Sequence, residues 1–97
     1  MRKIIGNRWY DTEKSTLLAS GTRMHTFATG KNFECEVFNA DIELYRGVTK
    51  YFFYEEESKN IFTIHPINVE MAFEIFNLPD MKQFVSEEDA FGSIPQA

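Results

Sequence analysis

Three side chains of this sequence could serve as a nucleophile, a base or a metal ligand: Cys35, His25 and His65. A catalytic cysteine needs an activating base or cation and some exposure, and neither histidine is close to Cys35 in the sequence. Segment 33–37 instead alternates between apolar and acidic residues, which predicts that Cys35 is a small buried side chain of a strand. No C-x-x-C or H-x-x-x-H spacing pre-arranges two ligands, so the sequence predicts no metal site, no cofactor and no catalytic residue.

Acidic residues form two consecutive runs, 55–57 and 87–89. General acid–base catalysis would need two carboxylates on one face and an apolar pocket that raises the pKa of one of them. Consecutive residues of a strand point to opposite faces, and the sequence shows no such pocket. The two runs therefore predict a solvated strand edge and the start of a helix rather than an active site.

A binding role is the sharper interpretation of the acidic residues. Glu34, Glu36 and Glu43 are predicted on the outward faces of strands that we expect to be neighbours. Such a surface would imitate the charge of nucleic acid and occupy a basic groove on a nuclease or regulator. The residues predicted to bind this partner are Glu34, Glu36, Glu43, Tyr45, Glu55 and Glu57. A solvated sheet face that only maintains solubility stays open as the alternative.

The N-terminal part predicts a second kind of surface, because Trp9 and Tyr10 follow Arg8 and could form a base-stacking platform. Residues 1–31 contain six Lys/Arg and two Asp/Glu, whereas residues 32–97 contain four and thirteen, so the two parts carry +4 and −9. The overall charge of −5 argues against nucleic-acid binding unless the N-terminal cations form a patch. In the other interpretation, these rings bridge the first strand and the first helix.

The stretch 41–57 organises the predicted fold as two strands joined by a tight turn at 46–49. Its second strand is aromatic on both faces, which places it centrally in a sheet and means that both faces need a cover. A helix would cover one face. The other would be covered by a short N-terminal helix or by a second copy of the chain in a homodimer. The residues concerned are Tyr51 and Phe53 on one face, and Phe52 and Tyr54 on the other.

Further strands are predicted at 2–5, 8–10, 33–37 and 61–65, the last ending at Pro66. A short helix is predicted from Asp11 to Ser20, followed by a mobile connection over 22–32. The main helix, from Asn68 to Leu78, carries an apolar stripe at Val69, Ala72, Phe73 and Phe76. Later helix starts are predicted by a capping box from Asp80 to Gln83 and by a cap at Ser86.

The predicted fold class is therefore α+β. An antiparallel sheet of four to five strands carries one main helix on a face, with a short N-terminal helix beside it. Residues 1–92 would form a single domain and residues 93–97 a flexible C-terminal tail. The 97 residues are 43% hydrophobic and 15% aromatic, which suffices for a core. No apolar run approaches the ~20 residues of a membrane span, and the single cysteine rules out an internal disulfide framework. The cytoplasm is thus the expected compartment, without a membrane partner.

Segment 3–13 reads Lys-Ile-Ile-Gly-Asn-Arg-Trp-Tyr-Asp-Thr-Glu. It resembles the opening Lys-Ile-Ile-Asn-Gly-Lys-x-Tyr-Asp-Thr of a family of short, mostly uncharacterised proteins from phages and mobile elements of Gram-positive bacteria. The hairpin motifs Leu44-Tyr45 and Tyr51-Phe52 are similar to those of the family, as is the helix after Pro66. The turn Gly6-Asn7 and the acidic run 55–57 depart from the family pattern, which has Asn-Gly and a glycine-rich stretch. The resemblance implies a small α+β accessory protein that modulates a host or defence protein and has no catalytic residue.

Together these observations predict a non-catalytic, acidic protein-binding modulator from a phage or mobile element. Its most concrete form is an anti-CRISPR-like inhibitor that occludes a basic surface of a host, defence or nuclease protein. The alternative is a nucleic-acid-associated accessory protein that uses Arg8, Trp9 and Arg23 of its basic N-terminal part. The sequence favours either of these over an enzyme.

Overall fold

The structure, a computed structural model, describes residues 1–29, 34–48 and 51–97, with side chains for residues 1–23, 39–48 and 51–97. Seven strands and two helices lie in this part of the chain. They are β1 (Arg2–Ile5), β2 (Arg8–Asp11), β3 (Thr16–Thr29), β4 (Glu34–Arg46), β5 (Phe52–Ser58), β6 (Ile61–Ile67), α1 (Val69–Phe76), β7 (Lys82–Gln83) and α2 (Glu87–Phe91).

Five of these strands form an antiparallel sheet in the order β6-β5-β4-β3-β7, while β1 and β2 pair separately as a two-stranded sheet. From β3 to β6 each strand pairs with the next one along the chain, and β7 returns to the far edge of the sheet after α1. The predicted α+β class is confirmed, and the main antiparallel sheet of the described residues has five strands, within the predicted range of four to five.

Two of the hairpins turn through pairs of residues with positive φ. Gly6 and Asn7 have φ angles of 56° and 64°, and Lys59 and Asn60 have φ angles of 52° and 64°. Two-residue turns of this kind match the twist of the strands that they join, which is why they favour hairpins. The turn at Gly6-Asn7 is confirmed.

The predicted helix from Asp11 to Ser20 is wrong, because the chain turns after Asp11 and then enters β3 at Thr16. Asp11 does not act as a helix cap. Its side chain accepts a hydrogen bond from Glu13 N at 3.0 Å, and its carbonyl accepts one from Ser15 Oγ at 2.6 Å, which closes a local turn. β3 then pairs with β4 along its length, which outweighs the weak helix preference of a short segment.

β3 continues to Thr29, so residues 22–29 of the predicted connection are strand; residues 30–32 lie outside the described part. The strand predicted at 33–37 and the first strand of the hairpin are a single strand, β4, with Phe33 outside the described residues. The hairpin from β4 to β5 is confirmed by the pairing of Arg46 with Phe52 and of Asp41 with Glu57. Thr49 of its predicted turn is not described.

Pro66 does not end the last strand of the meander, since β6 runs to Ile67. The sheet order explains this difference. β6 lies at the edge of the sheet, and an edge strand tolerates a proline because only one of its sides must donate ladder hydrogen bonds.

α1 begins as predicted, with Asn68 Oδ1 accepting a hydrogen bond from Met71 N at 2.8 Å. Its buried side consists of Ala72, Ile75 and Phe76. Val69 and Phe73, which belonged to the predicted stripe, are 36% and 42% exposed, so the buried stripe is rotated around the helix.

The C-terminal part contains one confirmed cap and one wrong one. Ser86 caps α2 by accepting a hydrogen bond from Asp89 N at 3.0 Å. The capping box predicted at Asp80 and Gln83 is wrong, because β7 pairs with β3 there and the Gln83 amide donates to the Phe76 carbonyl at 2.9 Å. Ile94, beyond α2, packs against the core beneath α1.

The sheet carries a core on each face, as the two-faced aromatic strand predicts. The first core lies under α1 and α2, and the second under the β1–β2 hairpin. The predicted helical cover of the second face is thus replaced by this hairpin, while the homodimer stays a prediction. The buried residues of the first core are Leu18, Ala19, Ile42, Leu44, Phe52, Tyr54, Ala72, Ile75, Phe76 and Ala90; those of the second are Tyr10, Tyr45, Phe53 and Ile64.

Aromatic contacts fix the hairpin on the sheet. The Tyr10 ring meets the Phe53 ring edge-on at 5.4 Å, and the Tyr45 ring stacks on Phe53 at 5.2 Å. Such pairs stabilise a core beyond the burial of their area. Tyr51 does not join this core and is 44% exposed.

Candidate binding groove

The pairing of β4 with β5 places two carboxylates directly opposite each other on one face of the sheet. Glu43 is the partner of Glu55, and Tyr45 is the partner of Phe53. Because side chains alternate along a strand, Glu43 and Glu55 lie on the same face as the second core. The β1–β2 hairpin covers the aromatic part of this face, and the carboxylates lie where the cover ends.

A groove of about 560 Å³ opens at this boundary. Its floor comes from β4, β5 and β6, and its wall comes from the start of the chain and the turn after β2. The wall is held in place by Met1, whose carbonyl accepts hydrogen bonds from Thr12 N at 3.0 Å and Thr12 Oγ1 at 3.1 Å. The lining residues are Met1, Thr12, Glu13, Glu43, Tyr45, Glu55 and Phe62.

Glu55 is the most buried carboxylate among the described residues, with only 8% of its surface exposed. Within this part of the chain, no hydrogen bond or ion pair reaches its carboxylate. Burial raises the pKa of Glu55, and the neighbouring charges of Glu43 and Glu57 raise it further. The Met1 ammonium lowers this pKa but does not offset the other effects. Among the described residues, the Glu55 carboxylate is thus an acceptor without a donor.

Tyr45 borders the same groove, and its hydroxyl lies near the Glu43 carboxylate. Burial, followed by the charges of Glu43 and Glu55, raises the pKa of Tyr45 to about 12. The hydroxyl therefore stays protonated and remains a donor at neutral pH. Glu43 thus lies beside a hydroxyl donor, whereas the described residues place no donor within hydrogen-bond distance of the Glu55 carboxylate.

Of the residues predicted to bind a partner, Glu43, Tyr45 and Glu55 come together in the groove. Glu57 lies on the same face, one alternation further along β5, opposite Asp41. Glu13, Thr12 and Phe62 were not predicted, because they arrive from a turn and from β6, and nothing in the local sequence relates them to Glu43.

Glu34, Glu36 and Glu43 all belong to one strand, β4. The side chains of Glu34 and Glu36 lie outside the described part, so the common surface of these three residues and its role in partner binding stay a prediction.

A basic and aromatic patch lies on the β1–β2 hairpin. The Arg2 guanidinium is 4.1 Å from the centre of the Trp9 ring, and the Arg8 guanidinium is 3.6 Å from that of Tyr51. Trp9 is 55% exposed. Arg23 does not join this patch, because it lies beside α1, which covers the opposite face of the sheet.

The remaining candidates for chemistry do not form a site in the described part of the chain. His65 Nε2 lies 3.4 Å from Glu56 Oε2 and 3.1 Å from Thr63 Oγ1, and its ring stacks on Tyr54. The side chains of His25 and Cys35 are outside the described residues. Among those that are described, no cluster of three or more His, Cys, Asp or Glu could hold a metal ion.

Comparison of this chain with protein-family models, with curated proteins and with solved structures finds no match in any of the three. No helix in the described ranges has the length and apolar character needed to cross a membrane. Function therefore has to be inferred from the residues of the groove and of the basic patch.

Proposed function

We propose that this chain is a small, non-catalytic protein-binding modulator from a phage or mobile element. It binds a basic surface of a host, defence or nuclease protein through the acidic groove, and its most concrete form is an anti-CRISPR-like inhibitor. The observation that carries the binding role is the cross-strand pair of Glu43 and Glu55, in which one carboxylate is nearly buried and lacks a donor among the described residues.

A role in solubility alone does not account for this pair. Solubility is served by exposed charge, and Glu55 exposes only 8% of its surface. Like charges directly opposite each other on a sheet destabilise it, by roughly 0.2–1 kcal/mol on the scale of such pairs. A cationic partner would remove this cost on binding, which gives the arrangement a use that exposed carboxylates elsewhere on the surface lack.

The surroundings of the pair extend the same negative field. Glu13 lies on the wall of the groove, and Asp41 and Glu57 face each other farther along the two strands. A concave surface lined by one sign of charge raises the rate at which an oppositely charged protein docks. This acidic surface therefore favours a basic protein as the partner.

An affinity capture from bacterial lysate tests the proposal when it compares three forms of the tagged protein. These are the unmodified chain, Glu43→Gln/Glu55→Gln, and a control, Glu70→Gln/Glu74→Gln, which removes the same charge from the exposed side of α1. We expect mass spectrometry to identify a basic protein that the unmodified chain and the control retain and that the groove variant loses. Equal retention by all three forms, or no specific protein at all, would contradict a binding role for the groove.

A second candidate function rests on the basic patch. Arg2 and Arg8 each lie over an exposed aromatic ring, and a stacked guanidinium keeps its edge free to donate to phosphate. The chain would then be a nucleic-acid-associated accessory protein. Fluorescence anisotropy with single-stranded DNA and RNA should show binding that weakens steeply with salt and disappears in Arg8→Gln/Trp9→Ala but not in Lys59→Gln. Absence of binding even at low salt would eliminate this function.

A further inference from the structure

The Glu55 carboxylate lines the groove, is 8% exposed and has no hydrogen-bond or ion-pair partner among the described residues. An ionised carboxylate can accept about four hydrogen bonds, and leaving such capacity unused in a buried place is costly. Such a carboxylate favours a donor that carries positive charge, and among the described residues none lies within ion-pair distance of it.

The second carboxylate defines how many donors the ligand should carry. Glu43 lies directly opposite Glu55 and near the hydroxyl of Tyr45. Together the two carboxylates retain several free acceptor positions on neighbouring strands. A guanidinium offers five N–H donors in a planar fork, whereas an ammonium offers three around a point.

The walls of the groove favour a cation on an alkyl stem over a free ion. Phe62 is 47% exposed and Met1 42% exposed, and both line the groove beside the carboxylates. These surfaces would pack against methylene groups. A hard metal ion such as Ca²⁺ takes six to eight oxygen ligands, more than this pair of carboxylates supplies.

We propose that the groove binds the side chain of a single arginine of the partner protein, with the guanidinium bridging Glu43 and Glu55 and the stem lying against Phe62. This inference rests on the proposed function, since it names the chemistry by which the partner would be recognised. Glu13, Glu57 and the Met1 ammonium also face this region, so the arginine would enter a site that is acidic on balance.

The test uses the full chain with ¹³C-labelled glutamate and follows the side-chain carboxyl signals by NMR. The probe is N-acetyl-arginine amide, and its uncharged counterpart, N-acetyl-citrulline amide, controls for shape. We expect the arginine probe to shift the signals of Glu55 and Glu43 in a saturable manner and to lower the apparent pKa of Glu55, while the citrulline probe does neither. Glu55→Gln should weaken arginine binding about tenfold or more, whereas Glu70→Gln should leave it unchanged.

Three results would overturn the inference: no shift at Glu55, equal shifts at the exposed glutamates of α1, or tighter binding of N-acetyl-lysine amide than of the arginine probe. Its failure is distinguishable from failure of the proposed function. A partner that Glu43→Gln/Glu55→Gln loses, combined with a silent arginine titration, would keep the function and reject arginine as the anchor. A saturable arginine shift at Glu55 without a captured protein would keep the arginine site and reject the proposed function.

Discussion

Ionisation of the Glu55 carboxyl is less favourable in the folded chain than in the unfolded chain. Burial contributes most to this difference, and the carboxylate of Glu43 across the strand pair contributes next. Both effects raise the pKa of Glu55 above its ordinary value of 4.5. The residue therefore makes the stability of the fold depend on pH in a direction opposite to that of a glutamate in an ion pair.

The sign of this dependence follows from the raised pKa. Below about pH 4.5 the carboxyl of Glu55 is protonated in the folded and the unfolded chain, so its contribution is fully present. As the pH rises through the folded pKa, the unfolded chain has already released the proton, and this contribution to stability is lost. Neutral pH is thus where Glu55 destabilises the fold.

Glu55→Gln should therefore raise the melting temperature at neutral pH and have little effect below about pH 4.5. Relief of a like-charge cross-strand pair gives up to about 1 kcal/mol, which corresponds to roughly 4–8 °C in a domain of this size. Circular dichroism melts from acidic to neutral pH measure this difference. Glu74→Gln controls for the change in net charge, and an equal gain from it at neutral pH would show that the cross-strand pair is not the cause.

At the scale of residues, the sequence predicted Glu43, Tyr45 and Glu55 as part of one partner-binding surface, but it could not predict that Glu55 is buried with a raised pKa. That state depends on which residue lies opposite, and a shift of one residue in the hairpin register would separate Glu55 from Glu43. It also depends on the cover that Met1 and Thr12 bring from the start of the chain.

Among the elements, the β1–β2 hairpin depends most clearly on its turn. Gly6 and Asn7 both have positive φ, and the most favoured pair for such a turn is Asn followed by Gly. Gly6→Asn/Asn7→Gly should raise the melting temperature by a few degrees and slow amide exchange in β2. Asn7→Ala, which puts an alanine at positive φ, should act in the opposite direction. A double variant that is less stable than the natural turn would contradict the assignment.

β3 depends on a glycine where the chain leading into β7 crosses it. A Cβ on Gly21 would lie 2.6 Å from Met81 Sδ and 2.8 Å from the Asp80 carbonyl oxygen. Because the carbonyl belongs to the backbone, the chain around Asp80 would have to move. Gly21→Ala should therefore cost about 1–3 kcal/mol in urea unfolding. Ser20→Ala, the neighbouring position, is the matched control, and an equally small effect of both would show that this crossing is loose.

The elements also show where sequence patterns reach their limit. Caps at Asn68 and Ser86 were predictable because each is a local hydrogen bond between a side chain and a nearby amide. Segment 16–20 was predicted as helix because its local features resemble a capped amphipathic turn. Its pairing with the long strand β4 stabilises a strand there instead. β7 has two residues, too few for any periodicity.

In the whole molecule, the central strands β4 and β5 both contribute buried residues to the two cores. Phe52 belongs to the core under α1, and its neighbour Phe53 belongs to the core under the β1–β2 hairpin. Loss of packing in either core should therefore loosen β5 and be felt in the other. This arrangement predicts that the chain unfolds as one unit.

Phe53→Ala and Phe76→Ala each remove a side chain that is 1% exposed, one from each core. Each should cost about 3–5 kcal/mol. Urea unfolding followed by the fluorescence of Trp9, on the hairpin side, and by circular dichroism should give coincident transitions in both variants. Separate transitions would show that the hairpin core melts independently of the helical one.

Two-sided aromaticity in one strand was enough to predict a sheet covered on both faces. It could not identify the second cover, because a two-stranded hairpin and a short helix present similar apolar residues at this length. The contact of Tyr10 with Phe53 holds the β1–β2 hairpin on this face. These two residues are far apart in the sequence, so local patterns do not predict the contact.

The order of the strands has a consequence for how the chain reaches this structure. From β3 to β6 each strand pairs with its successor, so these hairpins close short loops and can form early. β7 is different, because Ser20 meets Lys82 only after the chain has passed through the meander and α1. That edge is the contact of highest sequence separation in the sheet. We expect this edge to form last on folding and to open first on unfolding, so the pairing of β7 with β3 completes the sheet.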